Sequence, residues 1–134
     1  MSLAQAQEFS KKIYKVNRAA LIAYANASGD QNPIHQNEEF AKSVGLPNVI
    51  AHGMLTMGLV AQYVADWAGG SAQVKEYSAR FTKPVIVPAN ETVDLTVSAK
   101  VSEVLPDGSL RLDLNATSAG VKVLGMARAV VVKA

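Results

Sequence analysis

"TVDLTVSAKV", Thr92 to Val101, alternates without a fault. Val93, Leu95, Val97, Ala99 and Val101 fall on one side, and Thr92, Asp94, Thr96, Ser98 and Lys100 on the other. Successive side chains of a strand point to opposite faces, so this stretch predicts a strand with one buried face. Downstream, "LPDG" (105–108) is turn chemistry, and "SLRLDLNATSA" (109–119) resumes the alternation, which together read as a hairpin. "TSAGVK" is a second turn, and "VKVLGMARAVVV" (121–132) a final strand. Upstream, "VKEYSARFTKPVIV" (74–87) predicts a further strand, ended by Pro84 and Pro88. Taken in chain order these segments make an antiparallel meander of about four strands. Residues 9–16, "FSKKIYKV", mix apolar and basic side chains and suit an edge strand, where lysines discourage pairing with other chains.

The first half is helical in character. Asn17 is a good N-cap for "RAALIAYANA", whose Leu21, Ile22 and Ala25 share a face, and Gly29 suits the residue after the helix end. A short helix follows from Asn37, with Glu38 and Glu39 where the helix dipole favours negative charge, and Gly45 ends it. The segment from Gly53 to Trp67 is apolar almost all round, which predicts a long helix buried on most sides. One sheet with one apolar face and one long apolar helix have a simple joint solution, in which the sheet curls around the helix. The fold class is α+β.

The chain has 134 residues, enough for a single domain over 1–134 with its own core. Cysteine is absent, which excludes disulfides and thiolate chemistry. Thirteen basic and eleven acidic residues leave a formal charge of +2, far from the clustered basic face of a nucleic-acid binder. The local excess "KKIYK" with Arg18 reads as a solvated strand and helix start, with a docking patch for an acidic partner as the rival. No signal-peptide pattern opens the chain. The longest apolar run is broken by Gln62 and Asp66 and falls short of the roughly 20 residues a bilayer span needs, so no membrane is expected and a cytoplasmic location is.

The chemistry is concentrated in "SGDQNPIH" (Ser28–His35) and "AHGMLT" (Ala51–Thr56), which hold the only two histidines. Asp30 and His35 make an acid/base pair if the loop folds back on itself. Gly29 permits a sharp entry, Pro33 stiffens the loop, and Asn32 can bond its own backbone. Gly53 stands where the long helix begins. Its unpaired N–H and the helix dipole suit a carbonyl oxygen that gains negative charge, and the missing side chain leaves room for approach. Together these suit proton transfer next to a thioester carbonyl, with water gained or lost at the β carbon. Each residue also has a plain reading. Asp30 can cap a turn, His35 can be a satisfied core histidine, His52 beside a helix start is structural, and Met54 and Met57 fill the core. A metal held by Asp30 and the two histidines is not expected, because the spacing matches no metal motif and no thiolate is present.

Gly29, Asp30, Gln31, Asn32, Pro33, Ile34 and His35, followed by "AHGMLTMG", resemble the signature of the MaoC-like hydratases, the (R)-specific enoyl-thioester hydratases. The resemblance runs from Arg18 to the C-terminus, including "RFTKPV" (80–85), and in texture is closest to catalytic subunits of actinobacterial (3R)-hydroxyacyl-carrier-protein dehydratases. It implies a hot-dog fold and interconversion of trans-2-enoyl and (3R)-3-hydroxyacyl thioesters of coenzyme A or acyl carrier protein. It implies that Asp30 and His35 activate the water, that the Gly53 amide takes the thioester oxygen, and that Gly29, Asn32 and Pro33 shape the loop. It implies no cofactor, and a partner that is a second copy or a related hot-dog subunit. One departure is "VPANETV" (87–93), where relatives often carry "PGD". Two rival readings remain: a hot-dog thioesterase using a helix carboxylate such as Asp66, and an acyl-chain-binding subunit without its own chemistry.

Overall fold

A computed structural model describes residues 10–70 and 73–132. The elements in order are β1 (Lys12–Val16), α1 (Arg18–Ser28), a 3₁₀ turn (Pro33–His35), α2 (Glu38–Ser43), α3 (Gly53–Ala68), β2 (Val74–Phe81), β3 (Val93–Val104), β4 (Leu110–Ser118), β5 (Val121–Lys122) and β6 (Leu124–Val131). Phe9, at the head of the predicted first strand, lies outside the described residues.

The helix ends obey their local signals. The Asn17 side chain accepts from Ala20 N at 2.9 Å, and that of Asn37 accepts from Phe40 N at 2.9 Å, each satisfying a donor that the first turn leaves orphaned. Gly29 closes α1 in the left-handed region at φ 82°, its N–H donating to Ala25 O at 2.9 Å.

The strands form one antiparallel sheet in the order β1-β3-β4-β6-β2, with β5 paired to β4. The alternation read in β3 is the observed burial: Leu95, Val97 and Val101 are fully buried, as are Leu112 and Ala116 across the ladder in β4. Burying each large side chain is worth about 1.5–3 kcal/mol, and a one-residue slip would expose them all, so this face sets the register. The N-terminal strand sits at an edge beside β3, as its lysines suggest.

Three expectations about the strands need correction. The meander order fails at β2, which pairs with β6 (Tyr77 with Ala129, Phe81 with Leu124) and forms the far edge rather than lying beside β3. The predicted strand over 74–87 stops at Phe81. Pro84 and Pro88 lack ladder donors, and past Phe81 the chain leaves the sheet to run beside the 49–51 link, where Ile86 bridges Ile50, Ala51 N donates to Val85 O and Val87 N to Val49 O. The final strand is also split. Four steps on β4, from Asp113 to Thr117, face six between Lys122 and Arg128, and the surplus is absorbed at Val123 and at Met126, whose φ is 48°.

Against the expectation of burial on most sides, with Met54 in the core, the long helix is buried on one stripe only. Thr56, Val60, Tyr63, Val64 and Ala68 pack inward. Met54, Gly58, Gln62 and Asp66, spaced four apart, line an exposed stripe. In "VPANETV" a turn returns the chain to β3, with Glu91 N donating to Pro88 O and Asn90 taking the left-handed conformation it tolerates, at φ 61°.

Candidate active site

The loop from Ser28 to His35 is built from short local hydrogen bonds. Ser28 Oγ accepts from Asp30 N at 3.1 Å, the Asp30 carboxylate from Asn32 N at 3.2 Å, and the Asn32 side chain from Ile34 N at 3.2 Å. Each side chain thus fixes the backbone two residues on, the habit that makes Ser, Asp and Asn turn formers. Asn32 thereby caps the Pro33–His35 turn, with Pro33 at its first position. Gln31, which reads as the variable position of the signature, also holds the loop. Its Nε2 donates to Ala25 O and to Asn26 Oδ1, both at 3.1 Å, and its Oε1 accepts from Gln36.

His35 is delivered inward from this loop and is buried. Its Nδ1 lies 2.8 Å from Ile50 O. A carbonyl only accepts, so Nδ1 carries the proton, and Nε2 of the neutral ring is left with a lone pair. Ile50 belongs to an extended link held on both sides, by Ile34 O at one residue and by the Val85–Val87 stretch at its neighbours. Arg18 braces the same link, bonding Val87 O, Asn48 Oδ1 and Glu38 Oε1. Arg18 is therefore a structural tie, and Lys15 pairs with Asp94 on the surface.

The link ends at His52, and α3 starts at Gly53. His52 O accepts from Leu55 N and Thr56 N, while the Gly53 N–H has no partner among the described residues. The space left by the missing Gly53 side chain is already taken. A Cβ there would stand 3.0 Å from the Phe81 ring, so the missing side chain admits this aromatic from the end of β2, where the sequence suggested room for a ligand.

His35, Gly53 and Phe81 share a cavity of about 330 Å³ with Ile50, Ala51, Thr56, Pro84 and Val123. The wall is mostly apolar. Thr56 is 5% exposed, and its hydroxyl has no hydrogen-bond partner among the described residues. Lys83 stands exposed at the lip. Asp30 approaches from outside the cavity: one of its carboxylate oxygens and one ring nitrogen each of His35 and His52 lie within 4.8 Å of one another. A larger hollow of about 480 Å³ lies on the outer sheet face around Lys100, Asp113 and Arg128, away from every one of these groups.

That triplet is also what a metal would seek. His52, however, is 1% exposed, and its Nε2 lies 3.1 Å from Asp30 O. Its ring stacks on His35 with centroids 3.9 Å apart and planes 22° from parallel. Lone pairs lie in the ring planes, so stacked imidazoles do not converge on one ion. Only Asp30 and His35 Nε2 remain as donors, one short of the usual three protein ligands. Burial pushes the His52 pKa below its ordinary value, with the nearby His35 adding to the effect and the Asp30 contacts opposing it.

Thr56, Phe81, Val123 and Gln31 were given no role in the site by the sequence reading. Thr56 had a faint signal, one turn into the helix on the Gly53 side. Phe81 and Val123 had none, because they reach the cavity only through the pairing of β2 with β6.

The curled antiparallel sheet packed on one long helix, with an Asp–His loop at the helix start, defines a hot-dog fold of the hydratase kind. The chain belongs to the MaoC-like domain family, whose model matches residues 2–105. It is 42% identical over 77 residues to 3-hydroxyacyl-thioester dehydratase X of Mycobacterium tuberculosis, covering 58% of this chain and 26% of that protein. It is 29% identical over 89 residues to an (R)-specific enoyl-CoA hydratase of Rhodospirillum rubrum, covering 66% of this chain and 62% of that one. A solved structure described as a MaoC-like dehydratase superposes with a TM-score of 0.95 at 37% identity, covering 98% of this chain and 41% of the other. The chain thus spans less than two thirds of the length of these relatives.

Proposed function

We propose that this domain is an (R)-specific hydratase/dehydratase that interconverts trans-2-enoyl and (3R)-3-hydroxyacyl thioesters. The observation that carries the reading is the convergence of three groups: the Asp30 carboxylate beside a ring nitrogen of His35, and the unpaired Gly53 N–H that shares the cavity of His35. In hydration, water held between Asp30 and His35 adds its oxygen to the β carbon. The pair takes up the proton released and returns a proton to the α carbon, so one water is consumed. Charge moves onto the thioester oxygen meanwhile, and the Gly53 N–H at the positive end of α3 stabilises it. One such donor is worth about 3 kcal/mol in comparable sites. The apolar wall of Ile50, Ala51, Pro84 and Val123 suits an acyl chain. Lys83 forms no ion pair among the described residues and suits the phosphates of coenzyme A or of a carrier-protein arm. The thioester supplies its own activation, and no step calls for a cofactor.

The thioesterase alternative loses support on geometry. Asp66 is exposed on the outer stripe of α3, thirteen positions beyond Gly53, about 20 Å along a helix that rises 1.5 Å per residue. A purely acyl-binding role leaves the Asp–His pair unexplained. Incubation of the purified protein with crotonyl-CoA tests the reading. Loss of enoyl-thioester absorbance and an (R)-3-hydroxy product on chiral analysis are expected. No hydration, or the (S) product, removes the assignment.

A further inference from the structure

His52 is a buried titratable group that the mechanism above does not use, yet it touches every part of the site. Its backbone forms the cap of α3, directly before the Gly53 N–H. Its ring lies against His35 on one side, with centroids 3.9 Å apart, and against Tyr24 at 4.7 Å, tilted by 57°. Its Nε2 lies 3.1 Å from the backbone carbonyl of Asp30. That carbonyl can only accept, so Nε2 carries the hydrogen and Nδ1 keeps the lone pair. Nδ1 is buried and has no hydrogen-bond partner among the described residues. A buried acceptor left unmatched is costly, and a purely structural site would be served as well by an apolar ring. What an apolar ring cannot do is donate to Asp30.

We infer that His52 is a positioning residue, a neutral donor that ties the Asp30 backbone to the start of α3 and so holds Asp30, His35 and the Gly53 N–H in one register. The three groups come from three separate segments: the loop after α1, the 3₁₀ turn and the helix start. His52 is bonded or stacked to the first two and covalently joined to the third. Misplacement of a reacting group by about 1 Å can cost about a hundredfold in rate, so a single tie among the three has kinetic weight. His52 is 1% exposed, covered by Tyr24 and His35, so its role is to hold the groups that meet the substrate.

The kinetic test rests on the proposed hydratase activity and compares two substitutions. His52→Phe keeps a flat ring against His35 and removes the donor. His52→Gln removes the ring and keeps an amide nitrogen at similar reach. The expected result is that His52→Phe lowers kcat by about tenfold or more with KM within about twofold, and that His52→Gln recovers most of the loss. A folded His52→Phe with wild-type kcat overturns the inference, as does a His52→Gln impaired as severely as His52→Phe. If His52→Phe does not fold, a folded His52→Gln with near wild-type kcat sustains the inference, and one that has lost tenfold overturns it. A second measurement needs neither activity nor a variant. With two histidines in the chain, nitrogen-15 NMR of the imidazoles at about pH 7.5 resolves each ring. His52 is expected to carry its proton on Nε2 and a bare lone pair on Nδ1; the reverse tautomer removes the proposed tie. An inactive wild-type protein would refute the hydratase reading and leave this spectroscopic result standing.

Discussion

Asp30 can lose its charge without losing its place. Asn32 N bonds the Asp30 side-chain oxygen, and asparagine retains an oxygen there, so Asp30→Asn isolates the chemistry from the loop. We expect Asp30→Asn and His35→Ala each to lower kcat for crotonyl-CoA by at least about a hundredfold. The double variant should add little, since the two act as one unit. Steady-state kinetics on variants with unchanged circular dichroism checks this, and His35→Ala retaining more than about a tenth of the rate would remove its proposed role. His52 makes a separate, thermodynamic prediction. Its folded pKa is lowered from the ordinary 6.5. On acidification the unfolded chain therefore takes up the proton first, so stability is lost as pH falls through about 6.5 towards the folded value. Thermal melts should show a falling Tm below about pH 6.5, and His52→Gln should flatten that slope. Asp30 and His35 were legible in the sequence because their pairing is local, five positions apart on one stiff loop. Phe81, Thr56 and Val123 were not, because no local pattern says which distant residues will share a wall.

Among the elements, the turns repay attention. The β4–β5 hairpin turns on Ala119 and Gly120, at φ 51° and 75°, with Ser118 and Val121 paired across it. Two residues with positive φ are the geometry that Asn-Gly favours, and alanine is strained in it. Ala119→Asn should stabilise the fold by about 0.5–1 kcal/mol, read as a rise in denaturant midpoint without a change of slope. No change, or a loss, would show that the turn is not held in this conformation. The opposite holds at Gly29, whose φ of 82° is reserved for small or special residues. Gly29→Ala should cost about 1 kcal/mol and loosen the approach to Asp30. Helix caps such as Asn17 and Asn37 could be read directly, since their signal and their effect lie three residues apart. The place of β2 could not. Alternation marks a strand but carries no information on its neighbour, and the only hint of a detour was the pair Pro84 and Pro88.

At the scale of the whole molecule, β2 is an edge. None of its residues is buried, and Phe81 at its end is 56% exposed beside the cavity. Exposed edges invite pairing, and we propose that two hot-dog domains join along β2 into one continuous sheet, by self-pairing or with a related subunit. Light scattering at micromolar concentration should give twice the chain mass, with activity falling on dilution into monomers. A fully active monomer would refute this and leave Asp30 and His35 in place. The curled sheet on a helix was readable from two patterns alone, because an apolar sheet face and an apolar helix have few ways to hide from water together. The strand order has a last consequence, for how the molecule is made. A ribosome releases β2 before β3, β4, β5 and β6, yet within its own chain β2 pairs with β6. Until β6 emerges, β2 waits unpaired while the β3–β4 hairpin, closed by its own short turn, is free to form. The Asp–His loop needs only nearby residues to take shape, but the wall of Phe81 and Val123 is completed last. A nascent chain therefore carries its acid/base groups well before it has a chamber in which to use them.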